Sequence, residues 1–274
     1  MFYPFAVASL LLQACAGMKE LALPEKLDSS FRSATIVHRP SKNSIQVFGY
    51  RAYGLTVLQS GSRDSMLTSG LIIPRTYLVA NGTEKKMSFG TDSLKCDIHY
   101  TTIDIYTSSN QSSVLIDILL PPAKRAPGYD PYATTNTPLA RRVTGTIRHP
   151  ALNDEAAFDF QHIAARKNSD SAHIGGYLRI GTDSMIIVPF YKTIPVHSKN
   201  AKSMQVLQGY ELVKGDTLVA FLQHAPMVKT VYKPGLKDVL YIRTGVSEAG
   251  QLVIAAYFSV VSRLVLVWAG EALY

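Results

Sequence analysis

The amino-acid sequence predicts a mainly β protein, an antiparallel barrel or sandwich with a buried apolar helix near its C-terminal end. Three observations carry that prediction. Short runs rich in Val, Ile, Thr and Tyr recur between turns built on Gly and Asp. The segment 251–268, QLVIAAYFSVVSRLVLVW, is the most hydrophobic in the chain. Hydrophobic residues make up 47% of the 274 positions and charged residues 18%, a balance that suits a packed core and not a disordered chain.

The first element is an uncharged apolar run, FAVASLLL at 5–12. A membrane span needs about 20 such residues, so the run suits the hydrophobic part of an export signal. It leads into Leu12-Gln13-Ala14-Cys15, which resembles the lipobox of bacterial lipoproteins, where a small residue precedes the cysteine. The resemblance implies that residues 1–14 are a signal peptide removed before Cys15 and that the Cys15 thiol carries a diacylglyceryl group. The membrane is then a partner through that lipid. Ala16, where Asp could stand, resembles lipoproteins sent on to the outer membrane, which implies a place in the bacterial cell envelope. The other reading of this segment is a buried N-terminal strand or helix with an ordinary core cysteine.

Residues 15–31 read as a lipidated tether and 32–274 as the β-rich domain. Cys96 is the one other cysteine, so acylation of Cys15 would leave no disulfide, and core burial has to stabilise the fold. Cys96 itself reads as packing and not as a nucleophile.

Strand signals begin after Phe31. SIQVFGY (44–50) and GLTVLQSG (54–61) read as a pair, and SGLIIPRTYLVANG (69–82) as an edge or broken strand because of its Pro and Gly. Within 87–109, Cys96, Ile98 and Tyr100 share one parity while Ile103 and Ile105 take the other, which predicts a break or bulge near Thr101-Thr102. SVLIDILLPP (113–122) closes a first half, 32–120. Residues 121–142, PPAKRAPGYDPYATTNTPLARR, hold five prolines and no apolar period. They read as a linker or crossing loop to a second half, 143–274. The alternative is a basic-aromatic ligand loop that uses Lys124, Arg125, Tyr129, Tyr132, Arg141 and Arg142.

In the second half, NDEAAFDFQHIAARK (153–167) suits a capped helix by its terminal charges and a strand by the alternation around Phe158 and Phe160. Its strand neighbours favour the strand. GYLRIGTDSMIIVPFYK (176–192) and QVLQGYELVKGDTLVAFLQHA (205–225) read as hairpins, and DVLYIRTG (238–245) as a further strand. Gly-Thr-Asp-Ser occurs in both SFGTDSLKCDIHY and RIGTDSMIIVPFY, with KGDTLVAFLQ a shorter echo. Gly and Asp suit such turns through positive φ and side-chain-to-backbone hydrogen bonds.

The tail admits three readings. A membrane helix is interrupted by Arg263, and a terminal strand at 260–268 would lie in the middle of a sheet. As a helix it places Ile254, Tyr257, Phe258, Val261, Val265 and Trp268 at helical spacing, with only Ala255, Ser259 and Ser262 opposite. Such a helix belongs inside something. The order GYELVKGDTLVAFLQHA, DVLYIRTG, EAGQLVIAAYFSVV resembles the end of the tubby-like superfamily, which includes LURP-one-related proteins and phospholipid scramblases. The resemblance implies a closed antiparallel barrel threaded by a hydrophobic helix. The calcium-binding segment of the scramblases and the phosphoinositide-binding residues of tubby have no matching positions, so no activity is carried over. A sandwich with a covering helix is the competing architecture.

The composition and motifs exclude more functions than they indicate. The net charge is +8, but the basic residues come as scattered pairs (Lys85-Lys86, Lys124-Arg125, Arg141-Arg142, Arg166-Lys167) with no nucleic-acid-binding motif among them. Nucleic acid is therefore not an expected partner; a lipid, glycan or protein is. There is no G-x-S-x-G, H-E-x-x-H, phosphate-binding or dinucleotide-binding motif, and the histidines form no close metal-ligand pair. No cofactor and no metal are expected.

Asp followed by Ser or Thr recurs at Ser65, Ser93, Ser171, Ser184 and Thr217, and resembles an O-glycosylation signal of exported bacterial proteins. The plainer reading is that Asp-Ser opens a strand after a turn. Taken together, the sequence points to a lipid-anchored envelope protein acting as a non-catalytic binding or structural module. The alternative is an envelope hydrolase whose site would gather distant side chains such as His149, His162 and Asp159.

Overall fold

The computed structural model describes residues 21–39, 44–67, 76–107, 140–152, 154–163, 173–195, 203–224 and 236–271. Twelve strands follow one another: β1 (Phe31–Arg39), β2 (Ser44–Val47), β3 (Tyr50–Leu67), β4 (Thr76–Gly90), β5 (Lys95–Thr107), β6 (Ala140–Arg148), β7 (Ala156–Ile163), β8 (His173–Ile180), β9 (Asp183–Pro195), β10 (Ser203–Lys214), β11 (Thr217–Gln223) and β12 (Asp238–Arg243). The helix α1 (Glu248–Glu271) comes last. Each strand pairs antiparallel with its neighbours in sequence, and β1 closes the ring on β12 from Phe31↔Arg243 to Ile36↔Asp238. The architecture is a closed barrel and not a sandwich. Both sequence halves belong to it, because β5 pairs directly with β6.

The barrel closes around α1. Every residue from Leu252 to Ser262 is at most 1% exposed. Eleven consecutive positions cover about three helical turns, so every side of the helix is enclosed at once. That accounts for the absence of a polar face in the sequence. The helix starts at Ser247, whose Oγ accepts the Gly250 N–H at 3.2 Å while its carbonyl accepts the Gln251 N–H at 2.8 Å. Two of its buried hydroxyls are satisfied by backbone carbonyls: Tyr257 donates to that of Asp159 on β7 at 3.3 Å, and Ser259 to that of Ala256 in its own helix at 2.7 Å.

Strand alternation supplies the wall of the core. Ile45 and Val47, Met87 and Phe89, Cys96 and Ile98, Ala156 and Phe158, Leu240 and Ile242 all point inward and are buried. Tyr100, Gly145 and Phe158 share one rung across β5, β6 and β7. A Cβ on Gly145 would lie 2.7 Å from Tyr100 Cβ and 2.8 Å from the Phe158 ring. The missing side chain makes room for Phe158, whose ring then packs at 5.5 Å against Tyr257 of the helix.

The segment around Thr101-Thr102 departs from expectation. Its register runs unbroken through Thr83↔Thr102 and Glu84↔Thr101. Thr102 is itself buried, so the inward parity continues through Thr102 to Asp104, and Ile103 belongs to the outer face. A polar inner face had the look of a phase change. The register shifts lie elsewhere, in β3 between Tyr53 and Gln59 and in β10 at Leu207/Gly209 and Leu212/Val213. Within 153–167, Ala156–Ile163 form a strand, β7, and not a helix. The recurring Gly-Thr-Asp-Ser and Gly-Asp-Thr sequences are the β4–β5, β8–β9 and β10–β11 hairpin turns. Asp64-Ser65 instead lies within β3.

Replacing Gly145 with Val should lower stability by about 2 kcal/mol through overpacking against Tyr100 and Phe158. Urea unfolding measures this, and an unchanged midpoint would contradict the packing described.

Candidate functional site

An up-and-down barrel sorts its connections by end. The β2–β3, β4–β5, β6–β7, β8–β9 and β10–β11 turns lie at one end, where α1 also enters. The other end carries the longer connections, including 107–140 and 223–238, and each of these contains residues outside the described set. Polarity of the interior follows this division. From the turn end to the loop end, β5 presents Cys96, Ile98, Tyr100, Thr102, Asp104 inward; β6 presents Ile147, Val143, Arg141; β7 presents Ala156, Phe158, Phe160, His162. On β4 the same progression runs Phe89, Met87, Lys85. The helix repeats it with Val261, Ser262, Arg263.

Two polar clusters result, one where β1, β12 and the end of β11 meet the helix and one on β5, β6 and β7. On the first wall, Asp238 opens β12 with its side chain 1% exposed. Its Oδ1 accepts a hydrogen bond from His224 Nδ1 at 2.7 Å, and its Oδ2 accepts one from Ser262 Oγ at 3.1 Å. His38 Nε2 lies 2.9 Å from Ser262 Oγ and 3.6 Å from Asp238 Oδ2. Serine, histidine and aspartate are thus together, but in an order unsuited to acyl transfer. A nucleophilic serine gives its proton to an imidazole whose other nitrogen is oriented by the carboxylate. Here Ser262 gives its proton to the carboxylate itself and is fully buried in the helix. The network ties α1 to β1 and β12.

On the second wall, Asp104, Arg141 and His162 occupy one rung of β5, β6 and β7. Arg141 Nη2 donates to Asp104 Oδ2 at 3.0 Å, Nε donates to Oδ1, and Nη1 reaches the Leu264 carbonyl at 3.4 Å. Lys85 faces Tyr100 across β4 and β5. Burial raises the Tyr100 phenol, and the positive charge of Arg263 opposes that rise. Burial pulls the Lys85 ammonium below the usual lysine range, the Arg263 and Arg141 charges add to that, and Asp104 opposes it. Burial pushes His162 down to about 3, helped by the charges of His224 and Arg141, so its imidazole is neutral. Among the described residues, no group of three His, Cys, Asp or Glu side chains is arranged to hold a metal.

The residues named from sequence are distributed differently. His149, His162 and Asp159 do not converge. His162 points into the barrel, whereas Asp159 pairs on the outside with Arg142, Nε to Oδ2 2.7 Å. His149 lies in the β6–β7 turn at the far end, where its Nδ1 accepts the Ala151 N–H at 3.0 Å. Arg141 and Arg142, expected in the proline-rich loop, belong to β6 and face opposite sides, because neighbouring strand residues alternate. Lys124, Arg125, Tyr129, Tyr132, Ser171 and Cys15 lie outside the described residues. Ser93, Ser184 and Thr217 are exposed at the turn end, and Ser65 lies on β3. Burial pushes the Cys96 thiol up to about 12, and its Sγ meets the Phe89 carbonyl at 3.4 Å, as suits inert packing.

Comparison with family models, with curated proteins and with solved structures returned no match.

His162 stays neutral in the fold down to about pH 3, but in the unfolded chain it takes up a proton below about 6.5. The unfolded state therefore binds more protons in that window, and stability contributed by the neutral imidazole is lost as pH falls from 6.5 towards 3. Between pH 7 and 5, the His162→Phe variant should lose less stability than the native chain, by about 2 kcal/mol at most. Equal losses in urea titrations would contradict a buried neutral imidazole. Asp238→Asn, which leaves His224 and His38 without their carboxylate, should destabilise by about 3 kcal/mol in the same assay.

Proposed function

We propose that the protein is a non-catalytic binding module of the cell envelope, held at the membrane by a lipid on Cys15. One observation carries the non-catalytic reading: its own helix fills the barrel axis, and the serine, histidine and aspartate at the loop end are spent on fastening that helix. The loop end is the natural place for a partner. There the interior is polar, and the connection bearing Lys124, Arg125, Tyr129 and Tyr132 leaves from β5 and returns to β6, the strands that carry Asp104 and Arg141. The closed barrel threaded by a C-terminal apolar helix is also what a tubby-like resemblance implies, and it supports that kinship at the level of architecture alone.

The anchor is argued from Leu12-Gln13-Ala14-Cys15. Among the described residues no helix is long and apolar enough to cross a membrane. Cys15→Ser should move the protein from the membrane fraction to the soluble fraction. Continued sedimentation with membranes would refute the lipid anchor. Ser93, Ser184 and Thr217 are exposed on hairpins away from the loop end, where glycans would leave that end clear. The intact mass of the exported protein should exceed the polypeptide and lipid by whole sugar units, and an unmodified mass removes the glycosylation reading.

A further inference from the structure

We infer that the barrel sits with its loop end against the membrane, and that this end recognises the anionic phospholipid headgroups there. The inference rests on the lipid-anchor reading and names the surface that the anchored domain turns to the bilayer.

The segment before β1 supplies the geometry. The Ala22 N–H donates to Gln208 Oε1 at 3.1 Å, and Gln223 Nε2 donates to the Leu21 carbonyl at 3.2 Å. Gln223 is the last residue of β11, so Leu21 is held at the loop-end rim of β11 and β12. Lys26 Nζ then reaches the Asp216 carbonyl at 3.5 Å, in the β10–β11 turn. Residues 21–26 therefore form a strap down the outside of β10 and β11, with Leu21 and Pro24 buried. The chain enters the described fold at the loop end.

Cys15 lies six residues before Leu21, a reach of about 22 Å at most. Thr217–Gln223 alone spans about 20 Å from the turn end to the rim. A lipid on Cys15 would bring the turn end to the bilayer only if 15–20 doubled back along the strap at nearly full extension.

Charge separates the same two ends. The six connections of the loop end contain eleven Lys and Arg against three Asp. Those of the turn end contain Asp92, Asp154, Glu155 and Asp216 and no Lys or Arg. Ion pairs within a connection leave that balance unchanged. Lys192, near the end of β9, and Lys237, just before β12, are exposed at the loop end. Anionic headgroups attract a cationic end and repel an acidic one, within a screening length of about 8 Å at physiological salt. Tether and charge select the same orientation.

The test uses the full-length Cys15→Ser chain, so that no acyl chain contributes. It should bind vesicles of phosphatidylcholine with phosphatidylglycerol about tenfold more tightly than phosphatidylcholine alone, and high salt should remove the difference. Lys192→Gln with Lys237→Gln should weaken that binding about tenfold, while Lys95→Gln with Lys214→Gln, at the turn end, should leave it unchanged. Equal binding to both vesicles, or equal effects of the two double variants, overturns the inference.

Orientation is read from a fluorophore on one introduced cysteine. Cys96 is buried with its thiol pushed up to about 12, so it stays unlabelled. Thr193 and Thr182 are both exposed, at the loop end and the turn end of β9. A nitroxide on the lipid headgroups should quench the label of Thr193→Cys more than that of Thr182→Cys, and the reverse order overturns the inference. Release of Cys15→Ser from native membranes is scored at high salt, where headgroup attraction is screened. Release without the lipid preference overturns this inference alone; retention with the preference and the expected quenching overturns the anchor alone.

Discussion

The structure depends on mutual burial between α1 and the barrel. Eight strands close around an interior that side chains can fill, and rings of more strands leave room for something else. A ring of twelve needs a filler, and α1 is apolar on all sides because it is that filler. Neither part has a satisfactory alternative. The helix alone would expose Leu252, Ile254, Tyr257, Phe258 and Val261 to water, and the ring alone would enclose a greasy void.

Enclosure sets the terms for every polar group inside. Tyr257 reaches a strand carbonyl, Ser259 bonds back along its own helix, and Ser262 meets Asp238. Water cannot serve these groups as it would on a surface, so each bond also fixes the rotation and depth of the helix. The polarity gradient along β4, β5, β6 and β7 has the same logic. Apolar side chains fill the end closed by tight turns, and charged ones gather where the long connections begin. The partner site proposed above lies at that polar end.

Most of the fold was legible in the sequence. Alternation marked the strands, the repeated Gly-Thr-Asp-Ser marked two hairpins, and the featureless hydrophobicity of 251–268 marked an enclosed helix. The barrel itself was one of two architectures, since closure rests on β1 meeting β12 across more than 200 residues, which no local pattern records. The polar end was the illegible part. Lys85, Asp104, Arg141 and His162 point inward, where alternation rules expect apolar residues; on β5 the resulting change of parity read as a break near Thr101-Thr102, and Arg141 read as part of the proline-rich loop. Ser262 did stand out within the apolar tail; its partners His38 and Asp238 are distant in sequence, and nothing nearby announces them.

Enclosure of α1 is the central claim, and amide hydrogen exchange tests it directly. Amides from Leu252 to Ser262 should exchange only through global unfolding, with the same free energy as the strand amides of β11 and β12. Helix amides that exchange well before those strands, as on a surface-packed helix, would contradict the account.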